Sequence, residues 1–560
     1  NPQSPIPNPQ SPITIYRPKA IVVEPDYLLD VSAVAECFQG FGAEPVLYLL
    51  KKFLPLEQTL PMMLGNIANF FLDELMNNRE ASFQETFRKV FKLNPLGFAL
   101  LPNAAILELQ SSSQKHWTTL KNMVSDGMKK VGIEPSDCYL EPSFYAETYG
   151  LQGRLDVFFK AHPDSSGQEG KSAIIELKSG QPFMPNRYGI GANHFIQTLL
   201  YDLMVRSVFG EAVEPASYIL YSGLEISQLK YAPPVKAEQN EALQIRNQLV
   251  AIDRRLADLR SKFDEALILE RVTGARFPQL KGFHRRDIEL FEKTYGSLGE
   301  LDKRYFNAFT GFIAREHQLA KTGIHGVDNA NGLASLWLDT PEEKEANFHI
   351  IKSLKIKANQ ANQDEPLLHF EKTEGTNPLA NFRPGDIAVL YPVGSSQLAA
   401  GSAQSPITNH QSPLKSQIFK VTILAITPQA VTVRLRSKQF NLTIFGEHEF
   451  WNLEHDQMDM NFNSMYQGLF RFAQCPAAKR ELLLTTRPPA QSPPTPEGES
   501  TRQEAAKLQN GGGQVQVELT EEQAVILEKM LAAPDYFLLW GPPGTGKTSQ
   551  MLKHFAKWIF

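Results

Sequence analysis

Residues 172–179 read Ser-Ala-Ile-Ile-Glu-Leu-Lys-Ser, an apolar run interrupted by two opposite charges. Just before it, Leu-Gln-Gly-Arg-Leu-Asp-Val-Phe-Phe at 151–159 is a second strand candidate, and the polar stretch 161–170 between them is a turn. Strand side chains alternate, so Glu176 and Lys178 share one face while Ile175 and Leu177 point to the other. Unpaired charge inside a buried strand is costly, and a site that uses both residues removes that cost. An ExK triplet by itself is more commonly a solvated strand edge; the apolar surroundings single this one out. Asp156 on the neighbouring strand is expected to meet Glu176 across the hairpin. Two converging carboxylates suit Mg²⁺ or Mn²⁺ as metal ligands. Such a metal polarises a phosphate ester and acidifies a water, while Lys178 orients that water or offsets developing charge. In the helical stretch that follows, His194, Gln197 and Tyr201 fall at i, i+3 and i+7, on one face.

A chain of 560 residues is long for one domain and has room for three or four. It carries 56 Lys and Arg against 61 Asp and Glu, with 42% hydrophobic residues, which excludes wholesale disorder and a histone-like basic tail. Cys37, Cys138 and Cys475 lie far apart, so neither a disulfide scaffold nor a cysteine-rich zinc module is expected. No apolar run approaches the ~18 residues of a membrane span and no signal peptide opens the chain, so a soluble, cytoplasmic protein with no membrane partner is expected.

A second chemical signature lies at the other end. Tyr536 to Trp540 is a short apolar segment expected to be a strand, followed by Gly541, Pro542, Pro543, Gly544, Thr545, Gly546, Lys547 and Thr548, and then a helix. This is GxxxxGK[ST] in strand–loop–helix context. The glycines let backbone N–H groups turn toward phosphate oxygens, and the helix N-terminus adds its positive end. Lys547 is expected at the β- and γ-phosphates of ATP, with the Thr548 hydroxyl on its Mg²⁺. Gln523 has an amide that can read adenine.

These motifs carry a resemblance. The order GxxD at 153–156, ExK at 176–178 and QxxxY at 197–201 resembles the RecB-like branch of the PD-(D/E)XK nucleases, over roughly residues 20–225. That branch includes the CRISPR-associated RecB-like exonucleases and the nuclease half of the DNA-replication nuclease–helicases. The resemblance implies that Asp156 and Glu176 are metal ligands, Lys178 is the catalytic lysine, and Gln197 and Tyr201 support the site and DNA. Glu141 matches an acidic residue often found before the first strand. Asn69, in Gly65-Asn66-Ile67-Ala68-Asn69, stands where such proteins often carry a metal-binding histidine, and an amide oxygen is a weaker ligand. With no cysteine between Cys138 and Cys475, the four-cysteine iron–sulfur cluster of many relatives is not expected. Gln523, eighteen residues before Gly541, resembles the adenine-reading Q motif of superfamily-1 helicases, and GPPGTGKT is similar to the loops of nuclease–helicases and RNA-surveillance helicases.

The expected architecture is multidomain α/β. The segment 1–19 is low-complexity, with the tripeptide Gln-Ser-Pro at 3–5 and 10–12 and again at 404–406, 411–413 and 491–493. A restriction-endonuclease-like α/β nuclease core spans 20–225 and a helical stalk 226–325. In the stalk, Ile245, Leu249, Ile252, Leu256, Leu259, Phe263 and Ala266 form a coiled-coil-like seam. A small OB-like β-barrel spans 326–472 with an insert near 402–416, and its strands are expected at 386–390, 419–426 and 430–435. Phe382-Arg383-Pro384-Gly385-Asp386 resembles the opening of the small barrel that such helicases carry. The aromatics Phe462, Tyr466, Phe470 and Phe472 are expected in a core. A linker at 473–515 precedes the beginning of a RecA-like P-loop domain at 516–560.

Arg254 to Arg286 holds nine Lys and Arg against four Asp and Glu, a face for phosphates or a solvated surface. The chain opens on Asn1 and ends twelve residues after Thr548, with no space for a Walker B pair, so a C-terminally truncated piece of a longer polypeptide is expected. The function expected is a metal-dependent nuclease acting on DNA ends or flaps, with single-stranded DNA as partner. The alternatives are a degenerate nuclease fold that holds DNA for a motor and an RNA-acting superfamily-1 ATPase.

Overall fold

A computed structural model describes residues 20–55, 58–161, 171–210, 213–259, 267–324, 332–377, 379–393, 416–456, 459–490, 519–542 and 544–559. All five Gln-Ser-Pro repeats and Pro543 lie outside the described residues. The chain forms two compact units, Asn1–Arg471 and Phe472–Phe560.

In the first unit, helices α1 (Leu60–Asn77) and α2 (Asn103–Asn122) pack through Phe71 and Trp117, whose rings meet edge-on at 5.0 Å. Next come strands β1 (Cys138–Leu140), β2 (Ser143–Ala146), β3 (Leu151–Arg154), β4 (Val157–Phe159), β5 (Ala173–Lys178), helix α3 (Ala192–Phe209), and strands β6 (Ala216–Tyr221) and β7 (Leu229–Tyr231). A five-stranded sheet runs β7-β6-β5-β4-β1, with only β5 and β6 parallel, and a smaller sheet joins Leu29–Asp30, β3 and β2.

The central strand β5 shows why its alternation matters. Ile175 and Leu177 bury in one core with α1 and α2, whereas Ile174 buries in the other with Phe195, Ile196 and Leu199 of α3. Glu176 and Lys178 therefore face α3. The continuous strand expected at 151–159 is instead two, because the chain bends at Leu155 and Asp156 and passes from the smaller sheet to the larger. Leu155 is fully buried at the bend and its N–H donates to Pro142 O at 3.1 Å.

Helix α4 (Lys236–Ala257) carries the seam residues Ile245, Leu249 and Leu256, all buried. The helix ends at Ala257 and packs against α3 and α5 (Glu300–Thr322), so the apolar stripe serves a globular core; Phe263 and Ala266 lie outside the described residues. The barrel closes with six antiparallel strands, β8 (Ile350–Gln360), β9 (Leu367–Lys372), β10 (Ile387–Pro392), β11 (Phe419–Ile426), β12 (Ala430–Leu435) and β13 (Trp451–His455), in the order β8-β9-β12-β11-β10-β13. Its interior joins the core around α3. Strand β8 escapes a period-two reading because register shifts at Ile351/Leu354 and Ile356/Ala358 break its alternation. Tyr466 and Phe470 are core, packed on Phe53 and Phe291.

In the second unit, α6 (Glu521–Ala532) begins with a reciprocal capping box between Thr520 and Gln523. Leu527 and Met530 pack on Met551. The strand expected at Tyr536 to Trp540 is not formed. Strand backbone needs a neighbour to pair with, and among the described residues of this unit there is none. Leu538 and Trp540 are left 82% and 89% exposed.

Candidate active site

Asp156 stands at the bend before β4. The register Val157↔Ile175 sets it opposite Glu176, and its Oδ2 accepts the Leu177 N–H at 2.7 Å. Glu176 is 4% exposed. Its Oε1 accepts from Lys178 Nζ at 2.8 Å and from Gln197 Nε2 at 2.6 Å, and its Oε2 is buried with no hydrogen-bond partner. Gln197 also donates to the Tyr201 hydroxyl at 2.9 Å, and Tyr201 in turn donates to Arg154 O at 2.9 Å. One turn of α3 thus ties the carboxylate to β3. Gly153 makes this possible, since a Cβ there would lie 3.0 Å from Tyr201 Cε1 and 3.3 Å from Met204 Cε.

The structure brings Asp156, Glu176, Lys178, Gln197 and Tyr201 together but sends His194 elsewhere. Its Nδ1 lies 2.9 Å from the Tyr221 hydroxyl, which also accepts the Gly191 N–H at 3.1 Å. Burial, aided by Lys178, lowers the His194 pKa to about 3, so the ring that meets the Tyr221 hydroxyl is neutral.

Two further carboxylates join the site. Asp73 on α1 is half-buried and lies near enough to Glu141 and Asp156 that burial and then those two charges push its pKa well up. It sits one helical turn after Asn69, so the group that α1 brings to the site is a carboxylate. The signal for it is a charged residue in the apolar run Phe-Phe-Leu-Asp-Glu-Leu-Met at 70–76. Glu141 has φ 48°, a left-handed conformation that costs a non-glycine residue about 1–3 kcal/mol. Its N–H donates to Asp156 O at 3.0 Å, and its Oε2 pairs with Arg154 Nη1 at 2.9 Å.

Burial and then Glu176 hold the Asp156 pKa well above the usual carboxylate range. Burial draws Lys178 down, but Glu176 and Asp156 outweigh it and raise its pKa, so the ammonium stays charged. Four carboxylates therefore face Lys178 and Arg154. Among the described residues no three His, Cys, Asp or Glu side chains form a ready-made metal cage. The donor set still fits Mg²⁺, which is commonly held by one or two carboxylates with water and substrate phosphate completing the shell. The unpartnered Glu176 Oε2 is the atom that such an ion would satisfy.

The glycine-bearing segment around Lys547 belongs to the second unit. Gly544 and Gly546 adopt φ of 86° and 76°. Lys547 Nζ folds back to donate to Pro542 O at 2.7 Å and to Gly541 O, and Thr545 Oγ1 donates to Pro542 O at 2.9 Å. Thr548 is exposed. Gln523 Oε1 accepts the Thr520 N–H at 3.1 Å and its Nε2 reaches Thr545 O at 3.5 Å, linking α6 to the loop. In the basic stretch, Arg254 pairs with Glu24 and Arg285 with Glu289, so part of that charge serves structure.

No family model matches the chain. Curated proteins do match. The DNA replication ATP-dependent helicase/nuclease DNA2 of Gallus gallus is 22% identical over 445 residues, covering 73% of this chain and 40% of that protein. The Homo sapiens protein of the same name is 22% identical over 450 residues, covering 74% and 38%. The chain resembles the DNA-replication nuclease–helicases. Similarity to the nuclease–helicases extends well beyond the motif residues, and the chain spans about two fifths of the length of these two relatives.

Proposed function

We propose that this chain is the nuclease-bearing part of a nuclease–helicase and cleaves DNA phosphodiester bonds with Mg²⁺ or Mn²⁺. One observation carries the reading: Glu176 is buried in the central strand with one oxygen held by Lys178 and Gln197 and the other unpartnered beside Asp156. A buried, unsatisfied polar atom costs about 1–3 kcal/mol, more when charged, and a bound cation offsets it. Asp156 and Glu176 would hold the ion, which when bound supplies Lewis-acid polarisation of the phosphate and an acidified water. The Lys178 ammonium offsets charge developing on the phosphate. Gln197 and Tyr201 are positioning residues that fix Glu176. Single-stranded DNA ends or flaps are the substrate, since a recessed site admits one flexible strand more readily than a duplex. The residues Gly541, Pro542, Pro543, Gly544, Thr545, Gly546, Lys547 and Thr548, with Gln523, would bind ATP for the motor, and Thr548 would hold its Mg²⁺.

The test incubates labelled single-stranded DNA and Mg²⁺ or Mn²⁺ with the protein and with its Asp156→Ala and Lys178→Ala variants. We expect each substitution to lower cleavage by about 10²-fold or more, the scale of losing a charge-stabilising group. Equal cleavage by all three proteins overturns the assignment. Asn69, an amide where such nucleases often carry a metal-binding histidine, favours a second reading, a nuclease fold that holds DNA without cutting it. Retention of the strand with no metal-dependent product distinguishes that outcome.

A further inference from the structure

Three consecutive residues of the barrel reach back to the edge of the carboxylate site. Just beyond β12, Ser437 Oγ donates to Glu141 Oε2, Lys438 Nζ lies 3.2 Å from Glu74 Oε1, and Gln439 Nε2 donates to Leu140 O at 2.8 Å. Glu74 follows Asp73 on α1, and Leu140 and Glu141 lead out of β1 toward the Asp156 backbone. The segment is itself fixed to the barrel: the Arg436 N–H donates to Lys420 O at 3.0 Å, the Gln439 N–H donates to Ala361 O at 2.8 Å, and Lys438 also pairs with Asp364 at 3.0 Å.

Glu141 is the residue most in need of such support. Its backbone is in the left-handed region, and outside the barrel the partner of its carboxylate among the described residues is Arg154, a side chain 42% exposed. Ser437 and Arg154 both engage Oε2, and Oε1 takes no hydrogen bond among the described residues. Two donors on one oxygen fix the carboxylate plane and leave the other oxygen free to act as a ligand. Lys438 acts on α1, where its ammonium offsets the charge of Glu74 next to Asp73.

We propose that residues 437–439 are a bracket by which the barrel sets the divalent-cation affinity of the carboxylate site, with Ser437 and Gln439 as positioning residues for Glu141. The bracket makes the barrel part of the nuclease rather than a neighbour of it. This rests on the nuclease reading above, and the experiment separates the two. Mn²⁺ binding to the full 560-residue chain is measured by calorimetry without DNA, for the unaltered protein and for Ser437→Ala, Ser437→Thr, Gln439→Ala and Glu176→Gln. Ser437→Ala and Gln439→Ala should each weaken Mn²⁺ about five- to tenfold, the scale of one ordinary hydrogen bond, and Ser437→Thr, which keeps the hydroxyl, should stay within about twofold of the unaltered protein. Cleavage by Ser437→Ala should recover at saturating Mn²⁺, which a merely destabilised fold would not do. If Glu176→Gln weakens Mn²⁺ but Ser437→Ala and Gln439→Ala do not, the bracket is overturned and the nuclease reading stands. If Glu176→Gln also leaves Mn²⁺ binding unchanged, the nuclease reading falls and the bracket with it.

Discussion

Around Glu176 the partners come from several parts of the fold: Lys178 from its own strand, Gln197 from α3, and Asp156 from the bend before β4. Around Lys547 they are the carbonyls of Gly541 and Pro542, six and five residues away in the same loop. A site assembled by tertiary structure is buried, strained and short of one partner. A site assembled locally is exposed and satisfies itself. The first depends on the packing of its whole unit, whereas the second depends on little beyond its own sequence, and substitutions should separate them.

Gly153→Val should lower stability and cleavage together. Its Cβ would press on Tyr201 and Met204 in a filled core, and overpacking of this kind costs about 1–3 kcal/mol. Urea unfolding of the variant should lose that amount. Cleavage should fall as well, because a displaced Tyr201 releases Gln197 and with it the orientation of Glu176. Unchanged stability with unchanged cleavage would show that α3 and β3 are loosely apposed, contrary to the tertiary character ascribed to this site.

Asp156→Asn should act in the opposite direction on stability. Four carboxylates crowd the site, burial and Glu176 disfavour the ionised Asp156, and an amide still accepts the Leu177 N–H. Removing one charge should raise stability by about 1 kcal/mol, the size of a typical stabilising substitution, and abolish metal-dependent cleavage. Mg²⁺ should raise the stability of the unaltered protein and leave the variant unmoved. If the variant is instead less stable without metal, the repulsion that characterises the buried site is absent.

The sequence disclosed the parts of this site that follow local periodicity. Glu176 and Lys178 share a face by the alternation of one strand, and Gln197 and Tyr201 share one by the four-residue step of one helix. Asp73 was hidden because its relation to Asp156 arises only when α1 packs beside the sheet, and no spacing along the chain encodes that. Strand β8 was hidden by its bulges. The seam on α4 is a buried stripe, and a stripe states that a face is covered and not by what. The segment 536–540 failed for a related reason: apolar character qualifies residues for a strand, but pairing makes one.

That last point yields the smallest expected effect and the sharpest contrast. Leu538 and Trp540 are as apolar as Ile174 and Ile175, yet they stand exposed while the isoleucines are almost wholly buried. If exposure governs, Leu538→Ser should change the stability of the chain by no more than about 0.5 kcal/mol, as for surface substitutions generally. Ile174→Ala, removing a side chain from the core against α3, should cost about 2–5 kcal/mol. Lys547→Ala should match Leu538→Ser, because the carbonyls it releases lie in an open loop where water replaces the ammonium. A loss above 2 kcal/mol in Leu538→Ser would mean that the segment 536–540 is covered in the folded chain. The segment around Lys547 would then be a tertiary site like the one around Glu176.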